Sequence, residues 1–239
     1  ELMAEQFKSS NALIYDNQQV TYGDLIRKVN KLSHYLQTEC DIKPGDRIGI
    51  YGARSSDLVT AILAIIKTRA VFVPVDISFP EERVKYIFSK SEVKMVLTDT
   101  ESMFNIPYFD KTIFAMDVQM ETLEELPYER FEGNLEDSAY ILFTSGSTGE
   151  PKGVRIGHRS LANHIAWGNR FFFENSCDYN MPLFTSISFD FTLNSIFCPL
   201  NRGASVHIYH DSKGIDQSLK NILLSDIRAI KVTPSHIDM

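Results

Sequence analysis

Ala139-Tyr140-Ile141-Leu142-Phe143-Thr144-Ser145-Gly146-Ser147-Thr148-Gly149-Glu150-Pro151-Lys152-Gly153-Val154 is an apolar run that breaks abruptly into small and hydroxylated residues. Its first part, 139–143, reads as a buried strand. The loop is then held at a strand end, which is where nucleotides usually bind in α/β proteins. Gly146 and Gly149 permit backbone angles closed to other residues, Thr144, Ser145, Ser147 and Thr148 supply hydroxyl donors, and Lys152 supplies a fixed positive charge. Such a loop is suited to wrapping a polyanion with backbone N–H groups while hydroxyls and Lys152 offset its charge.

The phosphate-binding pattern G-x-x-x-x-G-K-[ST] does not fit this loop. Counted from Gly146, Pro151 stands at the second glycine and Gly153 at the metal-binding hydroxyl. A Ser/Thr/Gly cluster between a strand and a helix also serves commonly as a plain turn with a helix cap.

Outward from the loop, strand-like and helix-like periods alternate, which predicts a layered α/β fold with mostly parallel sheets. Strands are expected at 12–15, 46–51, 72–75 and 93–98. Helices are expected at 22–37, 55–67 and 80–90, with Leu25, Val29, Leu32 and Leu36 spaced as one helical face and Pro80 opening the last helix. From Asp117 to Glu136 the chain is acidic, with Arg130 alone opposing, and 98–138 reads as a surface connector between lobes 1–137 and 138–239. After the loop, helices are expected at 159–172, 193–200 and 217–224, and strands at 184–187, 204–209 and 229–233.

Several segments taken in order resemble the amino-acid-activating adenylation domains of nonribosomal peptide synthetases, within the adenylate-forming enzymes. The loop from Phe143 to Val154 resembles their glycine-rich signature and is the most specific of the set. Val20-Thr21-Tyr22-Gly23-Asp24-Leu25 resembles the opening motif, a short strand turning into a helix. Ile66-Lys67-Thr68-Arg69-Ala70-Val71-Phe72-Val73-Pro74-Val75-Asp76 resembles the second motif, departing from it in Thr68-Arg69-Ala70, where small residues are common. Ser188-Phe189-Asp190-Phe191-Thr192 resembles the fourth. The family's later signatures, among them a lid domain with a catalytic lysine, do not occur in these 239 residues. The resemblance therefore implies an N-terminal portion of such a domain, inactive in isolation, with the C-terminal subdomain as a partner.

The resemblance implies that ATP and an amino acid are joined as an aminoacyl-AMP and passed to the phosphopantetheine of a peptidyl carrier protein domain. Thr144, Ser145, Gly146, Ser147, Thr148 and Gly149 then enclose the β- and γ-phosphates. Lys152 steadies the leaving pyrophosphate, and the Thr144 or Thr148 hydroxyl helps place Mg²⁺. Two anions must approach one another in this reaction, so oriented donors and cations are its central requirement. Asp190 holds the substrate's α-ammonium in this family, although an aspartate at such a turn also serves as a helix cap. Phe191, Asn194 and Ser235 line the side-chain pocket by the same resemblance. Acyl-CoA synthetase-like acid activation, and a non-catalytic ATP-binding or interaction module, are the alternatives. His158 follows the loop and is either a cap or core residue or a ligand contact.

A net charge of −7 with no Lys/Arg cluster argues against a nucleic-acid partner. Apolar content of 44% and charged content of 23% are ordinary for a globular protein. Neither an eighteen-residue apolar run nor a basic start is present, so no membrane span or signal peptide is expected. Cys40, Cys177 and Cys198 are too separated for a disulfide framework, and His34, His164, His207, His210 and His236 show no metal spacing. A cytoplasmic protein with reduced thiols and no metal-ligand set of its own is expected.

Overall fold

A computed structural model of the chain describes residues 1–16, 18–107, 109–126, 131–144, 150–173, 179–210 and 214–237. In chain order, α1 (Leu2–Gln6), β1 (Asn11–Tyr15), β2 (Gln18–Thr21) and α2 (Tyr22–Thr38) lead to β3 (Arg47–Tyr51), α3 (Ser56–Lys67), β4 (Val71–Val75), α4 (Glu81–Lys90) and β5 (Met95–Thr98). Then come α5 (Thr100–Met103), β6 (Thr112–Ala115), α6 (Met116–Gln119), β7 (Ser138–Thr144) and β8 (Lys152–Gly157). The last described elements are α7 (His158–Phe173), β9 (Met181–Leu183), α8 (Asp190–Leu200), β10 (Val206–Ile208), α9 (Gly214–Leu223) and α10 (Pro234–Ile237).

The chain divides into two compact units, one of Glu1–Ile26, Arg54–Ser56 and His164–Met239, the other of Arg27–Ala53 and Asp57–Asn163. This differs from the expected lobes 1–137 and 138–239. β7 pairs with β4 and so stays with the preceding α/β repeat, while β9 and β10 join a sheet with β1 and β2. Strand pairing, rather than position along the chain, sets the division.

In the second unit five strands run parallel in the order β6-β5-β3-β4-β7, and β8 closes the β7 edge antiparallel. Every residue of β4 and β5 is buried, as expected of parallel strands covered on both faces. The period of two sorts β4 cleanly. Val71, Val73 and Val75 pack with Val84, Ile87 and Phe88 of α4, whereas Phe72 is fully buried and stacks on Tyr140 of β7 at 5.1 Å. Gly49 in β3 leaves room for this layer, since a Cβ there would lie 3.0 Å from Phe88 Cε1. The turn after α3 is made despite its bulky residues. Arg69 adopts a left-handed φ of 60°, and the Thr68 hydroxyl donates to Ile65 O at 2.8 Å.

In the first unit the sheet order is β2-β1-β10-β9, with β1, β10 and β9 parallel and β2 antiparallel. β2 turns directly into α2 through a reciprocal cap. The Thr21 hydroxyl donates to Asp24 Oδ2 at 2.8 Å and accepts from the Asp24 N–H at 3.1 Å.

Three expectations are corrected. The connector 98–138 includes an edge strand, β6, and Phe114, Ala115, Met116 and Met120 are buried within it. The strand expected at 184–187 lies at β9 instead. Past it the Thr192 hydroxyl donates to Ser186 O at 2.6 Å and the Ser188 N–H donates to Ser186 Oγ at 3.2 Å, so local hydroxyl bonds replace the ladder. Residues 229–233 form no strand with any described partner. Phe72 ties the loop-bearing strand to its sheet. Phe72→Ala is expected to lower stability by about 3–5 kcal/mol, read from urea unfolding.

Candidate functional site

β7 ends at Thr144 and β8 begins at Lys152, and the two residues are directly opposed partners in the antiparallel ladder. Both side chains are exposed. The chain therefore returns along β7 before entering α7, where the sequence had suggested passage from loop to helix. Lys152 is a strand residue, and pairing fixes its backbone against Thr144. Gly153 has a steric reason. It lies opposite Phe143, and a Cβ there would come within 3.1 Å of Phe143 Cζ and 3.2 Å of Ile141 Cγ2. Phe143 in turn meets the Tyr86 ring edge-on at 6.4 Å. Burial, and next the neighbouring Glu150 carboxylate, push the Tyr86 hydroxyl above its usual pKa. Ser145, Gly146, Ser147, Thr148 and Gly149 lie outside the described residues.

His158, the first residue of α7, is buried, and its Nε2 has no hydrogen-bond partner. Its N–H donates to Asp137 O at 2.9 Å, which closes the turn ahead of β7. Burial, and next the Arg69 guanidinium, hold the imidazole below its usual pKa against the opposing pull of Asp137. The side chain is a neutral core residue.

Asp190, Phe191 and Asn194 all stand on α8, in the first unit. Asp190 lies one position inside the helix, after Phe189 at the N-cap, and its Oδ1 accepts from the Phe191 N–H at 2.7 Å. Asp190 is exposed, so its carboxylate meets solvent in the free chain. A negative charge in the first helical turn is favourable in any case. Asn194, one turn further on, is 3% exposed, and its Oδ1 has no partner. Ser235 is exposed on α10, beside His236, whose ring packs on Phe184 at 5.5 Å.

Sequence reasoning missed Lys231. Its Nζ donates to Phe191 O at 3.1 Å and sits 4.4 Å from the Phe191 ring centroid. Burial lowers its pKa, and the fields of Asp190 and Cys198 partly offset this. The signal in the sequence was a lone charge inside the apolar run Ala229-Ile230-Lys231-Val232. Structure thus gathers two clusters. Thr144 and Lys152 pair across the β7–β8 ends, and Asp190 and Asn194 stand on α8 with Lys231 Nζ on the Phe191 carbonyl oxygen. The described residues contain no group of three or more His, Cys, Asp or Glu that could hold a metal ion, and no helix long and apolar enough to cross a membrane.

The family model described as AMP-binding enzyme matches residues 1–239. Tyrocidine synthase 3 of Brevibacillus parabrevis is 32% identical over 244 residues, covering 100% of this chain and 4% of that protein. Bacitracin synthase 3 of Bacillus licheniformis is 32% identical over 242 residues, covering 100% and 4%. The chain therefore spans a small part of these relatives. Among solved structures, the Klebsiella oxytoca NpsA N-terminal subdomain in complex with 3-hydroxyanthranilyl-AMSN is similar with a TM-score of 0.81 and 27% identity, covering 96% of this chain and 57% of that one. The nonribosomal peptide synthetase FmoA3 (S1046A) in its AMPPNP-bound form has a TM-score of 0.79 and 25% identity, covering 87% and 22%.

Buried His158 has a consequence for pH dependence. Below the ordinary imidazole value of about 6.5 the unfolded chain takes up a proton that the folded chain resists, so stability is full above that value and falls as the pH drops beneath it. His207, also held low by burial, adds in the same direction. His158→Gln is expected to flatten the loss of urea midpoint between neutral and mildly acidic pH without abolishing it.

Proposed function

The chain belongs to the AMP-binding enzyme family, and from that premise we propose that it is the N-terminal portion of an amino-acid-activating adenylation domain of a nonribosomal peptide synthetase. The observation that carries this reading is the β7–β8 pairing, which sets Lys152 directly opposite Thr144 at the two ends of the glycine-rich loop. In the reaction, a substrate carboxylate oxygen attacks the α-phosphorus of ATP, the bond from that phosphorus to the bridging oxygen breaks, and pyrophosphate departs. Lys152 and Thr144, with Ser145, Gly146, Ser147, Thr148 and Gly149, hold the β- and γ-phosphates and offset the charge that builds on the leaving group. Mg²⁺ in this reading arrives with the nucleotide as part of the substrate.

Asp190 assigns the acid. An exposed carboxylate at the start of α8 offers an ion-pair partner to the α-ammonium of an amino acid, with Phe191, Asn194 and Ser235 toward the side chain. Formation of aminoacyl-AMP is followed by transfer to the phosphopantetheine thiol of a carrier protein domain, in the cytoplasm, with the C-terminal adenylation subdomain as a working partner. A second reading, activation of an aryl acid, is favoured by the 3-hydroxyanthranilyl ligand bound to the Klebsiella neighbour. An aryl acid without an amino group leaves Asp190 unused.

ATP–pyrophosphate exchange in the natural protein that contains these residues tests the assignment. Exchange is expected with an amino acid and not with fatty acids or non-aminated aryl acids, and Lys152→Ala is expected to reduce it about 10- to 100-fold. Exchange with acyl acids alone, or unchanged exchange in Lys152→Ala, overturns the reading.

A further inference from the structure

Asp190 is exposed, and an exposed side chain is not aimed by packing. Its direction has to come from the backbone that carries it. The start of α8 is held in an uncommon way. Phe189 stands at the N-cap and makes no side-chain cap bond, where Ser, Thr, Asp or Asn ordinarily satisfies one of the first N–H groups. The tie is made from Thr192, the third residue of the helix. Its hydroxyl reaches back and donates to Ser186 O at 2.6 Å, and the Phe189 N–H donates to the same carbonyl at 3.4 Å. The Thr192 N–H donates to Phe189 O at 3.1 Å. Residues 186–192 are thereby closed on themselves, with Asp190 inside the closure.

The direction of the hydroxyl bonds follows from the donors present. A carbonyl oxygen only accepts, so the single hydroxyl proton of Thr192 is spent on Ser186 O. Thr185 Oγ1, 2.8 Å from Thr192 Oγ1, is therefore the donor to it. The relay runs from Thr185 through Thr192 to Ser186 O. Thr192 is 0% exposed, and its branched side chain has few χ1 choices in a helix, so packing fixes where the hydroxyl points. Ser186 Oγ and Ser188 Oγ, 2.8 Å apart, stiffen the same turn, and the Ser188 N–H donates to Ser186 Oγ at 3.2 Å. The ladder of β9 and β10 uses none of these hydroxyls. Loss of the Thr192 hydroxyl leaves Ser186 O with the 3.4 Å bond and takes away the acceptor of Thr185, so the turn loosens where Asp190 stands.

We propose, resting on the adenylation reading above, that Thr192 is a positioning residue for recognition of the substrate's α-ammonium. Its buried hydroxyl closes the turn before α8 and so holds Asp190 ready for the ligand. Without it, binding must order the turn as well as the ligand, which weakens affinity for the amino acid. Thr144 and Lys152 stand in the other compact unit, so handling of ATP is unaffected.

The test is ATP–pyrophosphate exchange by the natural protein, with KM measured separately for its amino acid and for ATP, in Thr192→Val, Thr192→Ser and Thr185→Val. Valine keeps the shape of threonine and removes the hydroxyl, whereas serine keeps the hydroxyl. Thr192→Val is expected to raise the amino-acid KM about 10-fold, the scale of one buried hydrogen bond, with the ATP KM changed less than about 2-fold. Thr192→Ser is expected to return the amino-acid KM to within about 2-fold of the unaltered protein. Thr185→Val, which removes only the donor to Thr192, is expected to raise it about 3-fold. A merely structural role lowers the urea midpoint and the active fraction, and so kcat, while leaving both KM values alone. An unchanged amino-acid KM in Thr192→Val, an equal rise in both KM values, or a Thr192→Ser as impaired as Thr192→Val overturns the proposal. If Thr192→Val fails to fold, Thr185→Val decides, and an unchanged amino-acid KM there overturns it. Unaltered protein that exchanges with no amino acid overturns the adenylation reading itself, and this proposal with it.

Discussion

The placement of Thr144 and Lys152 depends on strand β7 being held along both edges. On one side it pairs parallel with β4, where Phe72 and Tyr140 meet at 5.1 Å, and on the other it pairs antiparallel with β8 along almost its whole length. Directly opposed antiparallel residues have Cα atoms about 4.5–5.5 Å apart, so the two limbs of the loop start from a fixed, narrow gate. Lys152 is thereby positioned by backbone pairing, although its side chain is exposed. Gly153 permits β8 to lie against Phe143 and Ile141, and the Tyr86 ring of α4 meets Phe143 edge-on. A substitution that loosened β7 in its sheet would move the hydroxyl and the cation together.

The helices and central strands were legible because their burial is written in their own periods. Leu25, Val29, Leu32 and Leu36 are buried in α2 as their spacing implies, and β4 is buried throughout, as its uninterrupted apolar run implies. β8 was not legible. Lys-Gly-Val-Arg-Ile-Gly is largely exposed and takes its extended form from pairing with β7, an interaction its own residues do not announce. β9 was misplaced for a related reason. Pro182 reads locally as punctuation, yet β9 has a described neighbour, β10, on one side only, where a missing N–H is tolerated. The Ser/Thr-rich residues after it read as strand by their apolar neighbours, but their hydroxyls bond to nearby backbone and to one another.

The candidate site divides along the same line. Thr144, Lys152, Asp190 and Asn194 were singled out from motifs local in sequence. Lys231, which stands 40 residues from the carbonyl it bonds, was not. Its charge inside an apolar run marked it as unusual, but only the fold shows that it reaches α8. Residues whose roles come from long-range approach are the ones a single sequence conceals, and the same holds for His158. The sequence left His158 as a cap or core residue or a ligand contact, and the fold buries it in the field of Arg69.

The two clusters also differ in how their charges are held. At the ends of β7 and β8 the paired residues are a hydroxyl and a cation, both exposed, and backbone pairing places them. At α8 both signs are present: Asp190 is exposed at the start of the helix, while Lys231 is half-buried, with its Nζ on the Phe191 carbonyl oxygen and over the Phe191 ring. Burial disfavours the charge on Lys231 and the field of Asp190 partly restores it, so the charges on this helix depend on one another, whereas Lys152 depends on the sheet.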